Sequence, residues 1–131
     1  MFIPIRDNNP TIRKPILTIA LIVVNCLAFL LSYFQGGRGF QMAVISYGYI
    51  PDLYLNPEKY AGVPSYLWIT PLTSMFMHGG WMHLIGNMVF LWIFGNNIED
   101  YFGRIKFFIF YILSGIAATA LYTLFNPGSE I

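Results

Sequence analysis

The chain has 131 residues, 56% of them hydrophobic, with seven basic and six acidic side chains and a formal net charge of +1. Charged residues make up 10% of it, against about 25% in an average soluble domain, too few to cover a soluble fold this small. The mean hydropathy of +0.59 agrees, and the chain reads as an integral membrane protein. No basic block is present, which excludes the electrostatic footprint of a nucleic-acid binder. A lone cysteine, Cys26, excludes a disulfide-stapled scaffold.

Residues 1–14 carry Arg6, Arg13 and Lys14 and form the expected cytoplasmic N-terminal segment. One membrane domain is expected over 15–131. Three charge-free runs organise it: Pro15 to Gly37, Ala61 to Ile98 and Phe107 to Ser129. A helix crossing the hydrocarbon core needs about 20 residues, so spans are predicted at about Ile16–Phe34, Thr73–Phe94 and Ile105–Phe125. The first is not a cleaved signal peptide, because its apolar core runs from Ile16 to Leu31 and no small-x-small site follows.

Between the first two spans lies a long loop, Gln35–Trp68, holding Phe40, Tyr47, Tyr49, Tyr54, Tyr60, Tyr66 and Trp68. Tyr and Trp favour the headgroup layer, so the loop is expected at the membrane interface, broken into short pieces by Pro51, Pro57, Gly62 and Pro64. Its only basic residues are Arg38 and Lys59. Arg104 and Lys106 sit between the second and third spans. The positive-inside rule then places the N-terminus and the second connection in the cytoplasm and the long loop outside.

The second span carries the polar residues that need a reason: His78, His83 and Asn87. His83 and Asn87 are four apart and stand one above the other on a helix face, with Gly86 beside them allowing close helix approach. Two neutral donors aimed at one buried point are what an oxyanion hole requires. Taken alone, such a pair more often bonds across to neighbouring helices as structural glue. His78 lies about 140° from His83 if both are helical. A metal site ranks low: only two histidines are present, and no HExxH pattern. Met75, Met77, Met82 and Met88 read as packing or lipid-facing residues. The stretch Gly95 to Gly103 reads as a tight turn, with Glu99 and Asp100 exposed or bonded to loop backbone. In the third span, Ser114/Ala118 and Gly115/Thr119 are small-xxx-small pairs suited to close packing.

The ordered set Thr73-Ser74-Met75-Phe76-Met77-His78, His83-x-x-x-Asn87, Gly95-x-x-Ile98-Glu99, Tyr101-Phe102-Gly103, Lys106-Phe107, then Tyr111 and Ser114-Gly115, resembles the rhomboid family of intramembrane serine proteases. The resemblance runs from about Thr11 to the end. It implies an all-α membrane helix bundle of six helices, of which these residues supply the first three. It also implies a serine on the fourth helix as nucleophile and a histidine on the sixth as base. His83 and Asn87 match the two positions that stabilise the oxyanion, and His78 matches a structural histidine. Departures are plain. The family's Gly-x-Ser-Gly is absent, and Ser129 after Gly128 is not followed by glycine. Only two histidines are present, and the family's Trp-Arg pair in the loop is not reproduced at Trp68-Ile69-Thr70. The resemblance therefore implies an intramembrane serine endopeptidase for transmembrane protein substrates, represented by an N-terminal portion without nucleophile or base and inactive alone. The alternative is a non-catalytic rhomboid-like protein that binds transmembrane helices. No cofactor, metal or nucleic acid is implied; the expected partners are the bilayer and the substrate.

Overall fold

The computed structural model describes residues 12–130; what the sequence predicts for residues 1–11, Arg6 among them, lies outside the described residues. All regular elements among these are helical: α1 (Ile16–Tyr33), α2 (Gly36–Tyr47), α3 (Pro51–Leu55), α4 (Thr70–Thr73), α5 (Trp81–Phe102) and α6 (Arg104–Phe125). Single 3₁₀ turns stand at Pro57–Lys59, Leu67–Ile69 and Ser74–Phe76. The fold is an all-helical bundle, as the sequence predicts.

Helix α1 is apolar throughout, yet its buried stripe is Thr18, Leu21, Asn25, Phe29 and Ser32. That spacing of three and four is one helix face. Ile16, Ile19, Val23, Val24, Leu27 and Leu31 point outward and are 46–70% exposed. Thr18, Asn25 and Ser32 thus turn inward beside Leu21 and Phe29, while large apolar side chains face outward, as a lipid solvent favours. Helices α1 and α6 are long and apolar enough to cross a membrane. Helix α5 is as long as α6, but His83, Asn87, Asn96, Asn97, Glu99 and Asp100 lower its hydropathy.

In the bundle, α1 packs against α5 and α2, and α5 against α6. Residues 70–76 wedge in beside them, with α4 against α6 and the following 3₁₀ turn against α1. Phe29 ties three helices together: its ring lies 4.8 Å from Trp81 of α5 and 5.7 Å from Phe40 of α2, both edge-on. Such edge-to-face pairs gain from the ring quadrupoles beyond simple burial.

The second predicted span is displaced. Helix α5 begins at Trp81, not Thr73, because Met77 and Gly80 are extended and Gly79-Gly80 separates it from the short turns at 70–76. It continues through Phe102, so the predicted tight turn at 95–103 is helical. The turn shrinks to Gly103, whose φ of +79° is a left-handed value that glycine tolerates. The other two spans fall within a residue of expectation.

The long loop is more ordered than a string of broken pieces, since twelve of its residues form α2. Farther along, Asp52 gathers the 51–60 stretch around its carboxylate. Asn56 Nδ2 donates to it at 2.6 Å, Lys59 Nζ at 3.3 Å, and the Tyr60 hydroxyl donates to its other oxygen. The Asp52 amide donates to the Ser129 carbonyl at 3.1 Å, and Tyr49 shares a 2.8 Å bond with Thr123. The loop is thereby pinned to the far end of α6.

Candidate functional site

Position along α5 decides what its polar residues do. At the N-terminal end, His83 is the third residue of the helix and Asn87 lies one turn further on. Both are exposed, and Asn87 faces a cavity that residues of α1 and α6 also line. His78 is not on the helix. It sits in the extended link before α5 and is 3% exposed, so the 140° separation expected for a continuous helix does not arise. Its ring meets that of His83 edge-on, with centroids 5.2 Å apart. Nδ1 of His78 faces the Phe76 carbonyl at 3.3 Å. A carbonyl only accepts, so that contact places a proton on Nδ1 and leaves Nε2 as the acceptor.

Beside this histidine pair opens a cavity of about 380 Å³ lined by Asn25, Met75, His78, Asn87, Tyr111 and Ser114, among others. The structure thus brings Asn87 and His78 to one cavity, with His83 at its edge through the ring contact. Gly115 of α6 allows the cavity wall to form, because a Cβ there would strike the Met75 thioether. Gly115 therefore serves packing against the 74–76 turn. The adjacent Ser114 is exposed, on the cavity side.

Sequence reasoning missed Asn25. It is fully buried in α1. Its Nδ2 donates to the Leu21 carbonyl at 2.7 Å and lies 3.5 Å from the Tyr111 hydroxyl, while Oδ1 has no partner among the described residues. The signal was available: a single amide in the apolar run 16–31 raises the same question that His83 and Asn87 raise in α5.

At the other end of α5 the carboxylates are spent on the backbone. Glu99 is 2% exposed, correcting the expectation that it faces solvent. It accepts from the Leu17 amide at 3.0 Å, the Thr18 amide at 2.8 Å and the Thr18 hydroxyl at 2.9 Å, with Arg104 at 3.5 Å. Helix α1 has no side-chain cap of its own. Glu99 caps it from α5, satisfying amides that would otherwise be orphaned at its start. Asp100 accepts from the Ile12 and Arg13 amides at 3.1 and 2.7 Å. Both carboxylates do bond backbone, but that of the segment entering α1.

Comparison with known proteins agrees with this architecture. A family model described as the Rhomboid domain matches residues 66–131. Over 126 residues the chain is 27% identical to Rhomboid-like protein 11, chloroplastic, of Arabidopsis thaliana, covering 96% of this chain and 39% of that one. It is 25% identical over 114 residues to the Rhomboid protease GluP of Bacillus subtilis, covering 87% of this chain and 21% of that protein. A 54-residue stretch is 39% identical to RHOMBOID-like protein 6, mitochondrial, of Arabidopsis, covering 41% and 18% respectively. No solved structure matches. The chain belongs to the rhomboid family of membrane proteins. It spans less than half the length of each of these relatives.

Proposed function

We propose that the protein is a rhomboid-type intramembrane serine endopeptidase that cuts transmembrane protein substrates, and that His83 and Asn87 are its oxyanion donors. The observation that carries this reading is the open face of α5. Two hydrogen-bond donors stand one turn apart there, both exposed, with Asn87 lining the cavity and His83 at its edge, on a helix whose other residues at this end are mainly apolar. Polar side chains in lipid are costly, and two left unspent beside a cavity suit charge that develops only during reaction. In such a reaction a serine oxygen adds to the scissile carbonyl, and its proton passes to a histidine base. The carbonyl oxygen, now anionic, receives the N–H groups of His83 and Asn87. The buried His78 ring supports His83 from behind. The 131 residues contain no Gly-x-Ser-Gly and no third histidine, so we place nucleophile and base outside them. The relative named as a protease, GluP, supports the reaction class.

In this reading α5 is the middle one of three spans. The segment before α1 and the α5–α6 turn face the cytoplasm, and the 35–68 loop faces outward, which the distribution of Arg13, Lys14, Arg104 and Lys106 supports. Cysteines placed in the loop should then label in intact cells; labelling only after permeabilisation reverses the topology. The activity is tested by cleavage of a transmembrane substrate by the full-length protein in liposomes. Absence of cleavage, with the protein folded and a transmembrane helix still bound, would replace the protease by a helix-binding rhomboid-like protein. The 131 residues by themselves should not react with a fluorophosphonate probe; stoichiometric labelling at Ser129 would show a nucleophile within them.

A further inference from the structure

The start of α1 and the α5–α6 turn border an open cleft of about 600 Å³ with four cationic side chains in its wall: Arg13, Lys14, Arg104 and Lys106. They come from segments about ninety residues apart in sequence. Asp100 and Glu99 bring them together by accepting the amides of residues 12, 13, 17 and 18. Gly103 closes the turn between them; a Cβ there would lie 3.5 Å from Nη1 of Arg13, so the guanidinium rests directly on the turn. We propose that this cavity is a binding site for the phosphate of an anionic phospholipid.

Charge, placement and surroundings argue for it together. Glu99 is the one carboxylate in the wall, and it is buried, bonded to α1 and ion-paired with Arg104 at 3.5 Å. Among the described residues no other ion pair reaches these four cations. Even with Glu99 and Asp100 both counted against them, the site keeps an excess of two positive charges, more than the single negative charge of a phosphodiester needs. Phe102 and Ile105 share the wall and are 51% and 78% exposed, so cations and bare apolar side chains lie side by side. A free anion has no use for that apolar rim, whereas acyl chains do. The apolar surface of α6 starts at this point and runs away from the cavity, the direction acyl chains would take. Basic pockets between spans are suited to anionic head groups. Dispersed topogenic charge needs no such convergence on one cavity.

The test is lipid retention by the purified protein, read by native mass spectrometry, and it involves no cleavage, so it is independent of the protease reading. Phosphatidylglycerol should survive delipidation at least tenfold better than phosphatidylcholine. The double variant Arg13→Gln/Lys106→Gln removes two cations that hold no described fold contact through their charge, and should lower retention about tenfold or more with an unchanged Tm. Arg38→Gln/Lys59→Gln, which removes the same charge from the 35–68 loop, should leave retention as it was. Equal loss in both double variants overturns the proposal in favour of diffuse attraction. Equal retention of phosphatidylcholine overturns it too, as does full displacement by glycerol phosphate, which would mark a soluble-anion site. Should the double variant unfold, Lys106→Gln alone must still lower retention severalfold; no change sinks the proposal.

Discussion

The two ends of α5 hold polar residues in opposite states. At the C-terminal end, Glu99 and Asp100 together accept four backbone amides and one hydroxyl from the α1 segment. At the N-terminal end, His83 and Asn87 stand exposed, Asn87 in the wall of a cavity and His83 at its edge. The first arrangement is capping at a distance: it closes the hydrogen-bond accounts of α1, which Pro15 leaves without a side-chain cap, and it holds two helices in register. The second leaves donors unspent, which contributes little to stability and suits an anion that arrives later. The contrast teaches that a polar residue in a membrane helix is understood by what it is bonded to, and that burial plus full satisfaction marks the structural end.

The contrast is broken most sharply at Glu99. Glu99→Ala strips the acceptor from the buried Thr18 amide and hydroxyl and the half-buried Leu17 amide and should cost about 3–5 kcal/mol, seen as a large fall in Tm in detergent. Glu99→Gln keeps one carbonyl acceptor and should cost less. A Tm unchanged by the alanine variant would show that α1 does not depend on this cap.

Next come the residues of the open end, where stability and activity should separate. Asn87→Ala and His83→Ala in the full-length protein should each lower kcat by about 10²–10³, roughly 3–4 kcal/mol of transition-state stabilisation, with KM nearly unchanged and Tm little altered. His78→Ala, which empties a buried position, should act mainly through folding. Near-normal kcat in folded Asn87→Ala and His83→Ala would make the pair structural, like its counterparts at the other end.

A smaller effect is expected between the two ends, at Gly95. A Cβ there would lie 3.1 Å from Thr18 Cγ2 and from Leu91 Cδ1, and 3.3 Å from the Phe107 ring. Gly95→Val should force α1 and α6 off α5 and cost about 1–3 kcal/mol. If Tm holds, the three helices have slack that their packing does not suggest.

The smallest effect lies in the loop. The Tyr60 hydroxyl bonded to Asp52 loses its proton less readily than a free phenol, and its pKa is pushed up to about 12 from 10.0. The same bond, with help from Asn56 and Lys59, holds the Asp52 carboxyl below its ordinary value, against a partial desolvation that raises it. The signs follow. The raised Tyr60 pKa adds stability that is complete below pH 10 and lost as pH climbs toward 12. The lowered Asp52 pKa adds stability that is present above the ordinary carboxylate pKa and lost as pH falls through the native value. Tyrosinate absorbance should show one late-titrating tyrosine that Tyr60→Phe removes. A titration near 10 in the wild type would mean the loop bond does not form.

Sequence by itself determined a good deal here. Low charge and three uncharged runs set the all-helical membrane class, because no amount of folding gives a soluble surface to a chain so short of charge. Two helices fell within a residue of their expected bounds, since charged or proline boundaries mark where apolar runs meet water. The His83–Asn87 spacing was legible because helix geometry alone puts residues four apart on one face. Tertiary structure decided the rest. Helix α5 shifted toward its C-terminus because Gly79-Gly80 breaks the backbone before it, and because Glu99 and Asp100 have helix-start amides to bind, which no local pattern reveals. His78 left the helix and came to rest on His83. Glu99's partners were hidden because they lie more than eighty residues away, at the start of α1, and so was the Tyr111 hydroxyl beside Asn25, although Asn25 itself stood out as a lone amide. A contact between distant segments leaves no periodicity in the sequence, and only packing brings the two sides together.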